Sequence, residues 1–139
     1  MNVFLDANVL FTAAYNPEGL CRALFRLAAA GRCRILVSAF VVDEVRRNLG
    51  LKAPDKAAVL EPLLKDVSCV PEPAPSRAQQ VRSAPLDEKD APVLAAAISS
   101  GSDLFVTGDR RQFSHFFGQE VFGVRVVTPA QTFDLLVPV

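Results

Sequence analysis

Val3-Phe4-Leu5-Asp6-Ala7-Asn8 opens the chain with an apolar run that ends on a carboxylate. Leu104-Phe105-Val106-Thr107-Gly108-Asp109 shows the same arrangement far along the sequence. Each short apolar run reads as a buried strand. Arg34 to Val37 and Val124 to Val127 read as further strands, and the short segment around Val67 to Val70 is a candidate for another. Longer helical patterns separate them. Asn16-Pro17-Glu18 starts one helix, in which Leu20, Leu24, Leu27 and Ala28 recur at helical spacing and Gly31 is the stop. Ser38 caps the next, which carries Val41, Val45 and Leu49 and ends at Gly50. Pro54-Asp55 starts a third, with Val59, Leu60, Leu63 and Leu64 on its apolar side. An alanine-rich helix begins at Asp90 and ends near Gly101, and Thr128-Pro129 starts the last. Pro71-Glu72-Pro73-Ala74-Pro75 is expected to be a stiff loop, because each proline fixes φ and lacks a donor.

Strands alternating with helices predict an α/β fold: a three-layer sandwich with a mostly parallel central sheet of four to five strands. Right-handed crossovers put helices on both faces. The 139 residues suit one domain, 1–139, and the half that are hydrophobic supply a core. Lys plus Arg and Asp plus Glu both total 15, so the formal net charge is zero. That excludes a generic charge-driven nucleic-acid binder; a polyanion would need local basic patches or a bound cation. Cys21, Cys33 and Cys69 match no zinc spacing and read as reduced, mostly buried thiols. No charged start leads into a long apolar stretch, and the run at Val3 is too short to span a bilayer, so the expected location is the cytoplasm, with no membrane.

In a parallel sheet the ligand crevice lies beyond the carboxyl ends of the strands, where Asp6 and Asp109 both fall. Each has an ordinary alternative, as a helix cap or turn residue. Glu44 follows Val41 by three positions and flanks the apolar stripe of its helix, whereas Asp43 points roughly 100° away. Asp90 precedes Ala91-Pro92 and can cap that helix, ligate a metal, or do both. Asn8 and Thr107 are placed to orient a carboxylate, and Asp87 and Glu88 are possible supporting groups. Asp103 falls at the opposite end of the sheet. His115, among Phe113, Phe116 and Phe117, is read as surface packing. Gathered carboxylates repel one another unless a cation or shared protons neutralise them, so a cluster of Asp6, Glu44, Asp90 and Asp109 would point to a metal.

Leu5-Asp6-Ala7-Asn8-Val9-Leu10, Val42-Asp43-Glu44-Val45, Lys89-Asp90-Ala91-Pro92-Val93-Leu94-Ala95-Ala96-Ala97 and Leu104-Phe105-Val106-Thr107-Gly108-Asp109 resemble, in order, the successive motifs of the PIN-domain family. The resemblance implies a Mg²⁺- or Mn²⁺-dependent ribonuclease whose acidic site is Asp6, Glu44, Asp90 and Asp109. It also implies a toxin of a toxin–antitoxin pair, with an RNA substrate and an antitoxin protein as partners. Many members carry a further acid where this chain has Arg111. Arg46, Arg47, Arg110 and Arg111 border the expected crevice and are candidates for holding RNA phosphates, with ordinary surface charge as the alternative. An apolar helix face left exposed would allow a homodimer. A PIN-like module that binds RNA or protein without cutting is the competing function. A phosphoacceptor domain fits less well, since Asp6-Ala7-Asn8 lacks the second acid of a nucleophile and proton-donor pair.

Overall fold

Residues 1–81, 91–113 and 116–137 are described by a computed structural model. Six strands form one sheet: β1 (Asn2–Leu5), β2 (Arg34–Ser38), β3 (Ser68–Val70), β4 (Leu104–Val106), β5 (Glu120–Val121) and β6 (Val124–Val127), in the order β3-β2-β1-β4-β6-β5. All neighbours are parallel except β5 and β6. The parallel part has five strands, within the expected range. β5 adds a sixth, two residues long, through a tight hairpin at Phe122 and Gly123. Both turn residues have positive φ, 50° and 88°, which matches the twist of a two-residue hairpin and is a rare conformation for a phenylalanine.

The helices are α1 (Ala7–Tyr15), α2 (Leu20–Ala29), α3 (Ala39–Lys52), α4 (Ala57–Leu64), α5 (Pro75–Val81), α6 (Ala91–Ser99), α7 (Arg110–Phe113) and α8 (Pro129–Leu136), with a 3₁₀ turn at Pro54–Lys56. The steps from β1 to β2 and from β2 to β3 run one way across the sheet, and the step from β3 to β4 runs back. Right-handed crossovers therefore place α1 to α4 on one face and α5 and α6 on the other. In keeping with this, α1 packs on α2, α3 and α4, while α6 packs on α5, β2 and β4.

Four local expectations are corrected. Helix α3 does not stop at Gly50 but runs on to Lys52, and the Ala53 N–H closes it on the Leu49 carbonyl. The stretch Asn16-Pro17-Glu18 does not start a helix: the Asn16 N–H closes α1 on the Thr12 carbonyl, its Oδ1 accepts the Glu18 N–H at 3.0 Å, and α2 starts at Leu20. The proline-rich connection ends earlier than expected, because Pro75 is the first residue of α5, where its missing N–H costs nothing. Cys69 is exposed rather than buried; Cys21 is buried and Cys33 half-buried, and all three are free thiols. No described helix is long and apolar enough to cross a membrane.

Strand β4 and, after Asn2, strand β1 are apolar and buried, as strands covered on both faces must be. Phe105 of β4 stacks on Phe4 of β1, ring centres 6.0 Å apart, and meets Phe113 of α7 at 5.2 Å. This aromatic trio ties the two strands and the short α7 together. Phe105→Ala should destabilise the fold by about 3–5 kcal/mol, measured by urea unfolding, because the vacated space is fully enclosed. A loss below about 1 kcal/mol would show that the trio does not hold β4 in place.

Candidate functional site

Strand order reverses between β1 and β4: from β1 the chain moves outward to β2 and β3, and from β4 it moves the other way to β6. A crevice opens where the two directions diverge, beyond the carboxyl ends of the strands. Asp6 and Thr107 stand side by side at its floor. Leu5 pairs with Val106 in the ladder, and the Asp6 N–H continues it by donating to the Val106 carbonyl at 2.9 Å.

Asp6 is 7% exposed. It caps α1, its Oδ1 accepting the Ala7 N–H at 2.8 Å. Its Oδ2 accepts the Thr107 hydroxyl at 2.8 Å and Asn8 Nδ2 at 3.0 Å. Asn8 is held in turn, since its Oδ1 accepts the Gly108 N–H at 2.8 Å. Thr107 Oγ1 accepts the Asp109 N–H at 3.0 Å, and Asp109 Oδ1 accepts the Arg111 N–H at 3.1 Å. The turn after β4 is thereby joined to the start of α1. A Cβ on Gly108 would lie 3.3 Å from Asn8 Oδ1, so this close approach favours a residue without one.

Glu44 reaches the same place from α3. That helix starts directly after β2, where the Ser38 hydroxyl accepts the Val41 N–H at 3.3 Å. Val41, Val45 and Leu49 enter the core, and Glu44 and Asn48 ride half-buried on the flank of that stripe. Asp6, Glu44 and Asp109 line one cleft of about 250 Å³, with Asn8, Asn48 and Lys52 on its walls. Phe11 and Val93 form apolar parts of the lining.

Burial raises the pKa of the Asp6 carboxyl above its ordinary value. The bonds from Thr107 and Ala7 oppose the rise, and the like charges of Glu44 and Asp109 add to it. A carboxylate offers about four lone-pair positions. Described donors fill two at Oδ2 and one at Oδ1, which leaves Oδ1 able to face the cleft. An all-oxygen set with mutually repelling charges suits a hard divalent cation. The fit is incomplete, for among the described residues no group of three or more His, Cys, Asp or Glu is arranged to hold a metal ion. Asp90, the fourth expected acid, lies outside the described residues, as do Asp87, Glu88 and His115. The helix that follows Asp90 is described, and its Val93 lines the cleft.

The arginines divide differently from the sequence expectation. Arg46 does not line the acidic cleft; it pairs with Glu61 at 2.9 Å and approaches Asp43 at 3.9 Å, beside a separate pocket that includes Asp43 and Cys69. Arg47, Arg110 and Arg111 are exposed and are not among the lining residues either. Lys52, Asn48, Phe11 and Thr12 are lining residues that sequence reasoning missed. Asn48 and Lys52 follow Glu44 at helical spacing, four and eight positions on, the one signal that could have found them. Asp103 sits at the far end of the sheet as expected, with its carboxylate accepting the Asn2 N–H at 2.7 Å.

Residues 2–111 match the PIN domain family. Among curated proteins none matches the chain by sequence. Solved structures share its fold at low identity. VapBC2 from Rickettsia felis, bound to a promoter DNA fragment, aligns with TM-score 0.71 and 16% identity over 92% of this chain and 98% of that one. DNA-bound VapBC from Salmonella typhimurium gives 0.71 and 19%, covering 93% and 98%. FitAcB from Neisseria gonorrhoeae gives 0.61 and 20%, covering 92% and 98%.

Because the folded state holds the Asp6 proton more tightly than the unfolded chain, this group's contribution to stability is full at low pH and is lost as pH rises through its raised pKa. Asp6→Asn removes that dependence. The melting temperature of the variant minus that of the native chain should therefore grow from about pH 4 to about pH 8 in chelator, measured by thermal unfolding. A difference that shrinks with pH would mean Asp6 is stabilised, not burdened, by its charge.

Proposed function

The chain belongs to the PIN-domain family, and we propose that it is a Mg²⁺- or Mn²⁺-dependent endoribonuclease that hydrolyses RNA phosphodiester bonds and serves as the toxin half of a cytoplasmic toxin–antitoxin pair. The observation that carries this reading is the convergence of Asp6, Glu44 and Asp109 on one cleft at the point where strand order reverses. Asp6, Asp109 and Glu44, joined by Asp90, would hold the cation. When bound, such a cation offsets phosphate charge and makes a neighbouring water more acidic.

The chain's own residues set the geometry. Asp6 cannot swing, because three donors and the cap position fix its carboxylate. Asn8 and Thr107 act as positioning residues through Asp6 and through the turn that carries Asp109. Glu44, half-buried and lining the cleft, would orient the attacking water and accept its proton. Water oxygen bonds to phosphorus, the bond from phosphorus to the leaving sugar oxygen breaks, and that oxygen takes up a proton. No enzyme side chain becomes attached to phosphate. Before neutralisation the clustered carboxylates repel a phosphodiester, so metal loading also governs substrate entry.

Arg111, at a place where many family members have an acid, favours the competing reading of a fold that binds RNA or protein without cutting. Incubation of purified protein with structured RNAs separates the two. Cleavage should appear with Mn²⁺, disappear with EDTA and be abolished by Asp6→Asn. Asn8→Ala should slow it roughly 10–100-fold, as loss of an outer partner of a metal ligand does. Cleavage that survives EDTA and Asp6→Asn alike would overturn the mechanism; no cleavage by a folded, metal-loaded protein would favour the binding module.

The partner reading draws support from the fold likeness to VapBC and VapBC2, both solved on DNA. Expression of the chain should arrest growth, measured as colony formation, and co-expression of a small protein encoded beside it should restore growth. Asp6→Asn should be harmless. Undiminished growth with the intact chain would remove the toxin role while leaving the nuclease reading to the cleavage assay.

A further inference from the structure

Beside the acidic cleft α1 carries an aromatic ledge. Phe11 lines the cleft, and Tyr15 stands one turn further along the same helix. Their rings are stacked and nearly parallel, 11° apart in orientation with centres separated by 6.0 Å. Lys52, at the end of α3, places its ammonium 5.9 Å from the Phe11 ring centre and also lines the cleft.

Core packing does not account for Tyr15. The buried face of α1 is made by Ala7, Val9, Leu10, Ala13 and Ala14, whereas Tyr15 is 53% exposed. Among the described residues the Tyr15 hydroxyl has no hydrogen-bond partner, and Lys52 has no carboxylate within ion-pair distance. A flat ring held on a rigid helix, backed by a second ring and flanked by a cation, offers a π-face and a phosphate contact together. Unpaired bases stack on such rings whatever their identity, whereas a duplex keeps its bases inside. Tyr15 lies about 13 Å along α1 from Asp6, which places a stacked base outside the reacting nucleotide.

We propose that Tyr15, backed by Phe11, is a stacking platform for an unpaired base of single-stranded RNA, and that Lys52 holds the phosphate between that base and the acidic cleft. The proposal rests on the ribonuclease reading for the direction of the strand. It adds a preference for unpaired RNA and a specific cation to a neutral protein, in which Arg46 is already engaged by Glu61.

The test uses the full chain carrying Asp6→Asn, so that RNA stays intact, with Mg²⁺ present. The probe is a short single-stranded RNA bearing 2-aminopurine, alone or annealed to its complement. Binding should quench the 2-aminopurine fluorescence and should be weaker for the duplex. Tyr15→Ala should weaken binding about tenfold and remove the quench, while Tyr15→Phe keeps both. Lys52→Ala should weaken binding and lower the salt slope by about one phosphate contact, and Lys52→Arg should restore it. Leu51→Ala, next door and exposed, should change nothing. Equal binding of single strand and duplex, or an unchanged quench in Tyr15→Ala, overturns the ledge. RNA bound with the quench but never cut by the chain with Asp6 intact sinks the nuclease reading and leaves the ledge standing. Cleavage with Tyr15→Ala binding unaltered does the reverse.

Discussion

A carboxylate held out of water at the meeting of two parallel strands is the constraint on which the rest of the site depends. Asp6 has to satisfy three demands at once: its backbone continues the β1–β4 ladder, its Oδ1 closes the first turn of α1, and its Oδ2 takes donors from Asn8 and Thr107. Those bonds lower the cost of the charge, but burial and the nearby charges of Glu44 and Asp109 outweigh them, since the carboxyl stays easier to protonate than usual. A fold selected for stability alone would place an asparagine or serine cap there. Strain of this kind persists where the surrounding structure over-determines it, and it commonly marks a functional site.

The scaffold supplies that over-determination cheaply. Ladder pairing of Leu5 with Val106 brings the ends of β1 and β4 together without any side-chain contribution. The bond from Gly108 to Asn8 then fastens the turn carrying Asp109 against α1, and Phe105, Phe4 and Phe113 fix the strands and α7 from beneath. Glu44 arrives on a helix whose apolar stripe locks its rotation in the core. Every acid described at the cleft is thus positioned by rigid elements or their immediate ends, which holds side-chain geometry better than a free loop would.

Much of this was legible in the sequence because strong local signals agreed with the global pattern. The apolar strands, the Ser38 and Thr128 caps and the helical spacing of Val41, Val45 and Leu49 all appear where they were expected, and the Thr128 cap is a full capping box with Gln131. Glu44 could be preferred to Asp43 from helical geometry alone, and Asp43 is indeed exposed and turned to another pocket. The misses have physical causes. Helix α1 is apolar almost all round, so no stripe announced it. In α5 a first-turn proline looked like a loop, and β5 is too short to carry any periodicity. The pairing of Arg46 with Glu61 has no local signal, because the two are far apart in sequence and adjacent in space.

Charge balance ties the cleft to its surroundings. With equal numbers of acids and bases, this protein has no general field to draw in a polyanion. The acidic cleft makes the local field worse, and the arginine nearest to Glu44 in sequence on its C-terminal side is spent on Glu61. On the proposed reading, affinity for an RNA strand would come from few cationic contacts, from a bound cation, and from interactions indifferent to net charge. Aromatic stacking is of that last kind, since it depends on exposed π-faces and not on the sign of the potential. Among the described residues, a cation, an aromatic pair and the acidic cleft meet at the stretch of α1 and α3 that carries Phe11, Tyr15 and Lys52. On the proposed reading, a protein of zero formal charge would draw its contacts to RNA from that edge and from the cation that the acids would hold, rather than from a general field.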